Sequence, residues 1–139
     1  MDDAQLTRTI CEILGGIPGW EWWPDPESPP YPKDSTAIWY GPIQDGPDRA
    51  IGVRVYGPIS DTDLLVRRVQ LRSRGRQRLI DDADRMAGIA FTVLHELSRV
   101  GGISDIRRIS GGPLGADSKG REERSDNYQI ILDNPEAIQ

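Results

Sequence analysis

Few residues of this chain have the types and spacing that chemistry requires. Gly112, Gly115 and Lys119 have the composition of a phosphate cradle, in which backbone N–H groups surround an anion and a lysine reaches it. The Gly-Lys-Ser/Thr order is missing, so a flexible turn is the better reading. Asp61 with Asp63, and Asp81, Asp82 and Asp84, are carboxylate groups of the kind that hold metal ions. The first pair lacks the rest of a calcium loop, and the trio opens a helical pattern, where carboxylates favour the positive end of the dipole. His95 falls beside core positions of that helix with no nucleophile or acid near it in sequence. Cys11 is the only cysteine, so it cannot close an internal disulfide, and with one histidine it cannot build a zinc site. No reaction can be written from these groups, and no catalytic residue, metal or cofactor is expected.

The chain has 139 residues, a length that suits one domain, 1–139, with one core. Hydrophobic residues make up 37% and charged residues 28%, a composition on the polar side that suggests partner surfaces. No apolar run approaches the roughly 20 residues of a membrane-spanning helix, and the acidic start lacks the order of a signal peptide. Cytoplasmic synthesis, away from membranes, is therefore expected. A net charge of −5 argues against a protein that coats nucleic acid.

The elements that must position any site follow from periodicity. Leu6, Ile10, Ile13 and Leu14 recur at helical spacing and predict a short helix over 4–14, ended by Gly15 and Gly16. Residues 18–34 read as an extended loop, because five prolines between Trp20 and Lys33 remove amide donors and exclude an interior strand. A meander over 35–75 is predicted from strand-like runs at 36–40, 51–56 and 65–73. Gly-Pro and Asp-Gly-Pro turns separate them. Leu79, Ala83, Met86, Ala90, Val93, Leu94 and Leu97 predict a main helix over 77–99. Two strands fill 103–133, a last one beginning at Asn127, and Gly111 to Asp126 between them is too polar for a core and reads as a mobile hairpin arm. The expected fold is α+β: a mostly antiparallel sheet, one long helix with a short N-terminal helix packed on it, and a long hairpin arm before the last strand.

Two features look like contact surfaces. In the third run Leu65, Val69 and Leu71 share one face with Arg67, while Arg68, Gln70, Arg72 and Arg74 share the other. Arginine's planar fork suits fixed pairing with carboxylates or phosphates, so Arg68, Arg72 and Arg74 are expected at a neighbouring subunit or at DNA. Trp20, Trp22, Trp23 and Tyr31 would expose a large apolar area if left in water, so this loop is expected to dock on protein.

Two motifs carry a resemblance. Val69-Gln-Leu-Arg-Ser-Arg-Gly75 enters the main helix pattern, and Asp117-Ser-Lys-Gly-Arg121 leads to Ser125-Asp-Asn-Tyr128 before the last strand. In this order they resemble the tail terminator and minor capsid (head–tail joining) proteins of long-tailed bacteriophages, over roughly Asp63 to Asp133. Ser73 stands where that family has an apolar residue, and the Trp/Pro loop has no counterpart. The resemblance implies a structural virion protein at the head-proximal end of the tail. It would form a homohexameric ring that caps the tail tube, ends its growth and meets the head connector or stopper protein, with DNA only passing through the opening. Leu114, Asp117, Arg121 and Tyr128 would then lie at a subunit or partner interface, with Asp117 and Arg121 as the fastening points of the arm. The alternatives are a neighbouring connector or stopper protein, a nucleic-acid-binding module, whose affinity would fall steeply with salt, and a small enzyme, which would need a pocket of titratable groups.

Overall fold

A computed structural model describes residues 1–25, 30–57, 65–97 and 101–133. The Asp61/Asp63 pair, the turn at Pro58 and the expected helix end at Arg99 lie outside them.

Helix α1 (Asp3–Leu14) starts at a capping box: the Asp2 carboxylate accepts the Gln5 N–H, and the Gln5 side chain accepts the Asp2 N–H. Its buried stripe is Leu6, Ile10, Cys11 and Leu14, the 3- and 4-residue spacing read from the sequence. Six strands follow or flank the second helix: β1 (Trp20–Trp22), β2 (Thr36–Tyr40), β3 (Ala50–Tyr56), β4 (Val66–Gln77), α2 (Asp82–His95), β5 (Ile103–Ala116) and β6 (Arg121–Leu132). They form one sheet in the order β1-β2-β3-β4-β6-β5, with β1 and β5 at its two edges.

This corrects the expected fold class. The sheet is mixed, since β1 runs parallel to β2 and β2 parallel to β3, whereas β3, β4, β6 and β5 alternate antiparallel. The Gly41-Pro42 and Asp45-Gly46-Pro47 signals mark a crossover, 41–49, in place of a hairpin. Parallel neighbours need such a return path, usually a longer one than this. Nor is there one long helix: α1 has 12 residues and α2 has 14. Helix α2 starts at Asp82 and not at Gln77 because β4 continues until Gln77 pairs with Arg121. Arg78, at φ 66°, then turns the chain out of the strand. The expected arm is also strand: 111–116 belongs to β5, and β6 begins at Arg121, held between β4 and β5. Within the Trp/Pro loop, Trp20–Trp22 makes a short edge strand.

Both helices lie on one face of the sheet. Ile51, Val53, Val55, Val69, Leu71, Tyr128 and Ile130 point to that face and join Leu6, Ile10 and Leu14 of α1 and Met86, Ala90 and Leu94 of α2 in one cluster. Burying each of the larger side chains contributes about 1.5–3 kcal/mol before entropy is counted. Asp82 fixes the start of α2 by pairing both oxygens with Arg49 and accepting the Arg76 N–H at 2.8 Å. Arg124 ties β6 to Asp84 of α2 and to the buried Asp126. Among the described residues the other face of the sheet carries no helix.

Candidate functional site on the open face of the sheet

The face that the helices leave uncovered gathers most of the polar groups of the strands. Alternation along β4 places Arg68, Gln70, Arg72 and Arg74 on it, as the two-residue period predicts, beside Arg54 and Tyr56 of β3 and Glu123 and Asn127 of β6. The crossover 41–49 lies across this face and divides it. Gly52 of β3 makes that possible: a Cβ there would collide with the Gly41 carbonyl oxygen and stand 3.1 Å from Ile43 Cγ1.

Arg74 clamps the crossover. Only 5% exposed, it donates to the carbonyls of Asp48 at 3.0 Å, Gln44 at 3.1 Å and Pro47 at 2.9 Å. Burial, followed by the nearby Arg121 charge, pushes its pKa below the ordinary arginine value. A second set of contacts joins the crossover to the β5–β6 turn. Arg121 Nε donates to Asp117 at 2.8 Å, its other nitrogens reach Asp48 and Asp45 at 3.4 Å, and Lys119 pairs with Asp45 at 2.9 Å. Asp117 also accepts the N–H groups of Lys119 and Arg121 at 2.9 Å, across a turn in which Gly120 has φ 75°. The Asp-x-x-Gly-Arg motif is therefore a turn that locks onto a distant loop of the same chain.

On one side of the crossover is a groove of about 550 Å³ lined by Ile43, Arg54, Gln70, Arg72, Arg74 and Glu123. Arg72 pairs with Glu123 at 3.2 Å, while Arg54 and Arg68 have no side-chain hydrogen bond or ion pair among the described residues. Below it, Tyr56 donates to Asn127 at 3.0 Å and Asn127 donates to Ser110 at 3.0 Å. Such a surface can bind anions through unpaired guanidinium groups.

On the other side is an aromatic pocket of about 440 Å³. Trp23 stacks on Tyr31 with ring centres 4.8 Å apart, and Tyr31 meets Trp39 edge-on at 4.8 Å. The Tyr31 hydroxyl fixes the group by donating to the Ile38 carbonyl at 2.6 Å and accepting the Trp23 N–H at 3.2 Å. Pro30, Pro47 and Asp45 complete the wall.

The residues singled out in the sequence thus part ways. Trp23, Tyr31, Arg68 and Arg72 are on the open face, and Leu114 is exposed on the β5 edge. Trp20 lies in the core and Trp22 packs against it beside Gly15. Tyr128 is 1% exposed in the core, its hydroxyl has no hydrogen-bond partner among the described residues, and burial pushes its pKa up to about 12. Arg74, Asp117 and Arg121 make their contacts within the chain. Sequence reasoning missed Trp39, Asp45, Asp48 and Arg54. Trp39 and Arg54 were legible as outward positions of their strands, but the two aspartates owe their role to the path of the crossover.

Among the described residues no nucleophile is paired with a base. His95 stacks on Phe91, Cys11 is buried with its thiol pushed up to about 12 by burial, and Asp81, Asp82 and Asp84 each pair with an arginine. Among the described residues no cluster of three or more His, Cys, Asp or Glu side chains is placed to hold a metal. Compared with known families, the chain matches the model described as bacteriophage tail terminator protein over residues 30–134. No curated protein matches it.

Proposed function

Because the chain belongs to the bacteriophage tail terminator family, a structural component of the virion tail that works against other tail and head proteins, we propose that it closes into a six-fold ring at the head-proximal end. There it would cap the last ring of tube subunits, stop tube growth and offer its far side to the head connector, having assembled in the cytoplasm of the host. The family match carries this reading. The fold supports it in one respect: on the face away from the helices, Arg54 and Arg68 have no side-chain hydrogen bond or ion pair among the described residues, so that part of the face has polar groups to offer to a partner.

Within that reading Arg54, Arg68 and Arg72 of the open face meet either the tube below or the DNA backbone passing through the opening, both of which favour guanidinium groups. The test is to assemble tails with and without the chain. Tubes that end at one length with it and run on without it are expected, together with a ring at the tube end in negative stain. Tubes of the same length in both cases, with no ring, would remove the capping role.

A further inference from the structure

Tyr56 reaches across the open face. Its hydroxyl donates to Asn127 at 3.0 Å, yet β4 separates β3 from β6, a span of about 10 Å at the usual strand spacing. The two residues also differ in height along the strands: Tyr56 is level with Arg68 and Gln129, Asn127 with Gln70 and Arg54. A tyrosine bridges that distance only if its ring lies along the sheet. One ring face is then toward β4 and the other toward solvent, in keeping with an exposure of 39%. Asn127 is itself held, because it donates to Ser110 at 3.0 Å.

Two cations flank this ring. Arg68 stands directly opposite Tyr56 on β4, and Arg54 is two residues before it on the same face of β3. Diagonal neighbours of this kind are about 7–8 Å apart, and neither guanidinium has a side-chain hydrogen bond or ion pair among the described residues. Around them the strands present Arg72 and Arg107 against Glu123 and Asp105, which leaves Arg54 and Arg68 as a positive surplus in a chain of net charge −5. Charge therefore calls for an anion. A carboxylate partner would satisfy the arginines and leave the ring bare. A nucleotide has both parts, a phosphate for guanidinium and a base whose flat face stacks on an aromatic ring. Bases inside a duplex are stacked on one another, so only an unpaired strand or a duplex end offers such a face.

We propose that Tyr56, Arg54 and Arg68 form a nucleotide site that takes unpaired or terminal nucleotides of DNA, a base on the Tyr56 ring and its flanking phosphates on the two arginines. It rests on the virion reading above only for the source of that DNA, since binding is measured on the subunit alone.

Fluorescence anisotropy of a labelled oligothymidylate with the full chain tests it. The unaltered chain should bind, more weakly as salt is raised, and a polyglutamate peptide or a covalently closed duplex circle should compete poorly. Tyr56→Leu, at an exposed position, should weaken binding about tenfold. Arg54→Gln with Arg68→Gln should weaken it too and flatten the salt dependence. Circular dichroism confirms folding of each variant. A fluorescent adenine analogue in the oligonucleotide should be quenched by the unaltered chain and not by Tyr56→Leu, which reads the stacking directly. No binding, equal binding by Tyr56→Leu, or a circle that competes as well as the oligonucleotide would overturn the site. Better competition by polyglutamate would also overturn it and assign the face to an acidic protein segment. Tube length is read in a separate assay, so loss of this site leaves the capping role standing, and tubes that run on despite the chain leave the site standing.

Discussion

Arg72 and Arg74 share a strand and a face two residues apart, yet they do different work because the crossover covers only one of them. Arg74 satisfies three loop carbonyls inside the fold, whereas Arg72, with its side chain 52% exposed, makes one ion pair with Glu123. Arg74→Gln should therefore lower the unfolding free energy by about 1–3 kcal/mol, the cost of leaving buried polar groups without partners. Arg72→Gln should stay within about 1 kcal/mol of the unaltered chain. Urea denaturation separates them, and equal losses would refute the clamp. The sequence shows the shared face of these arginines by its two-residue period, but their difference depends on a loop that returns from β2. Asp117 adds a pH dependence. Burial works to raise its pKa, and the Arg121 and Lys119 N–H groups with the Arg121 guanidinium outweigh this, so it lies below its ordinary 3.8. A pKa depressed by folding gives stability that is complete above the unfolded value and is lost as pH falls through the folded one. The urea midpoint should thus fall on acidification from about pH 5 downward, and less so in Asp117→Asn. The same acid slope in both proteins would show that the turn does not depend on the carboxylate.

At the level of elements, β6 is protected on both sides by β4 and β5, while β5 has one side free. Hydrogen exchange should find the amides of 121–132 slow in the isolated subunit. Along 107–116 it should find alternate amides fast, those that point away from β6, and slow only after assembly. Fast exchange across all of 111–126 before assembly would instead mark the whole hairpin as an arm that orders on its partner. Composition alone pointed to such an arm, since Gly111, Gly112, Gly115 and Gly120 raise the cost of fixing it. What composition does not encode is that β4 runs as far as Gln77 and supplies a second partner strand for 121–126. The helices were legible in kind because their stripes are local, with the capping box at Asp2 setting one start. The parallel strands were not, because a Gly-Pro or Asp-Gly-Pro signal reports a turn of the chain and not whether the next strand lies beside it antiparallel or crosses back.

Across the whole molecule, two edges and two faces are available, and their chemistry differs. If the edges meet neighbours and α1 and α2 cover one face, the open face must look along or into the ring. Its unpaired Arg54 and Arg68 stand out in a chain whose net charge is −5, so long-range repulsion from an acidic partner has to be overcome locally by this patch. Interactions of exposed charges fade beyond about 8 Å at physiological ionic strength. Capture of the subunit by tail tubes, or retention of DNA in filled heads, should therefore weaken as salt is raised from about 50 to 300 mM, a range over which screening tightens. Arg54→Gln with Arg68→Gln should flatten that dependence while ring size in negative stain stays unchanged, since neither residue is on a flank. Sedimentation with tubes and a nuclease-protection assay on heads read the two partners separately. A double variant that keeps the full salt slope for both would take the open face out of either contact, whereas one that changes ring size would place these arginines between neighbouring copies.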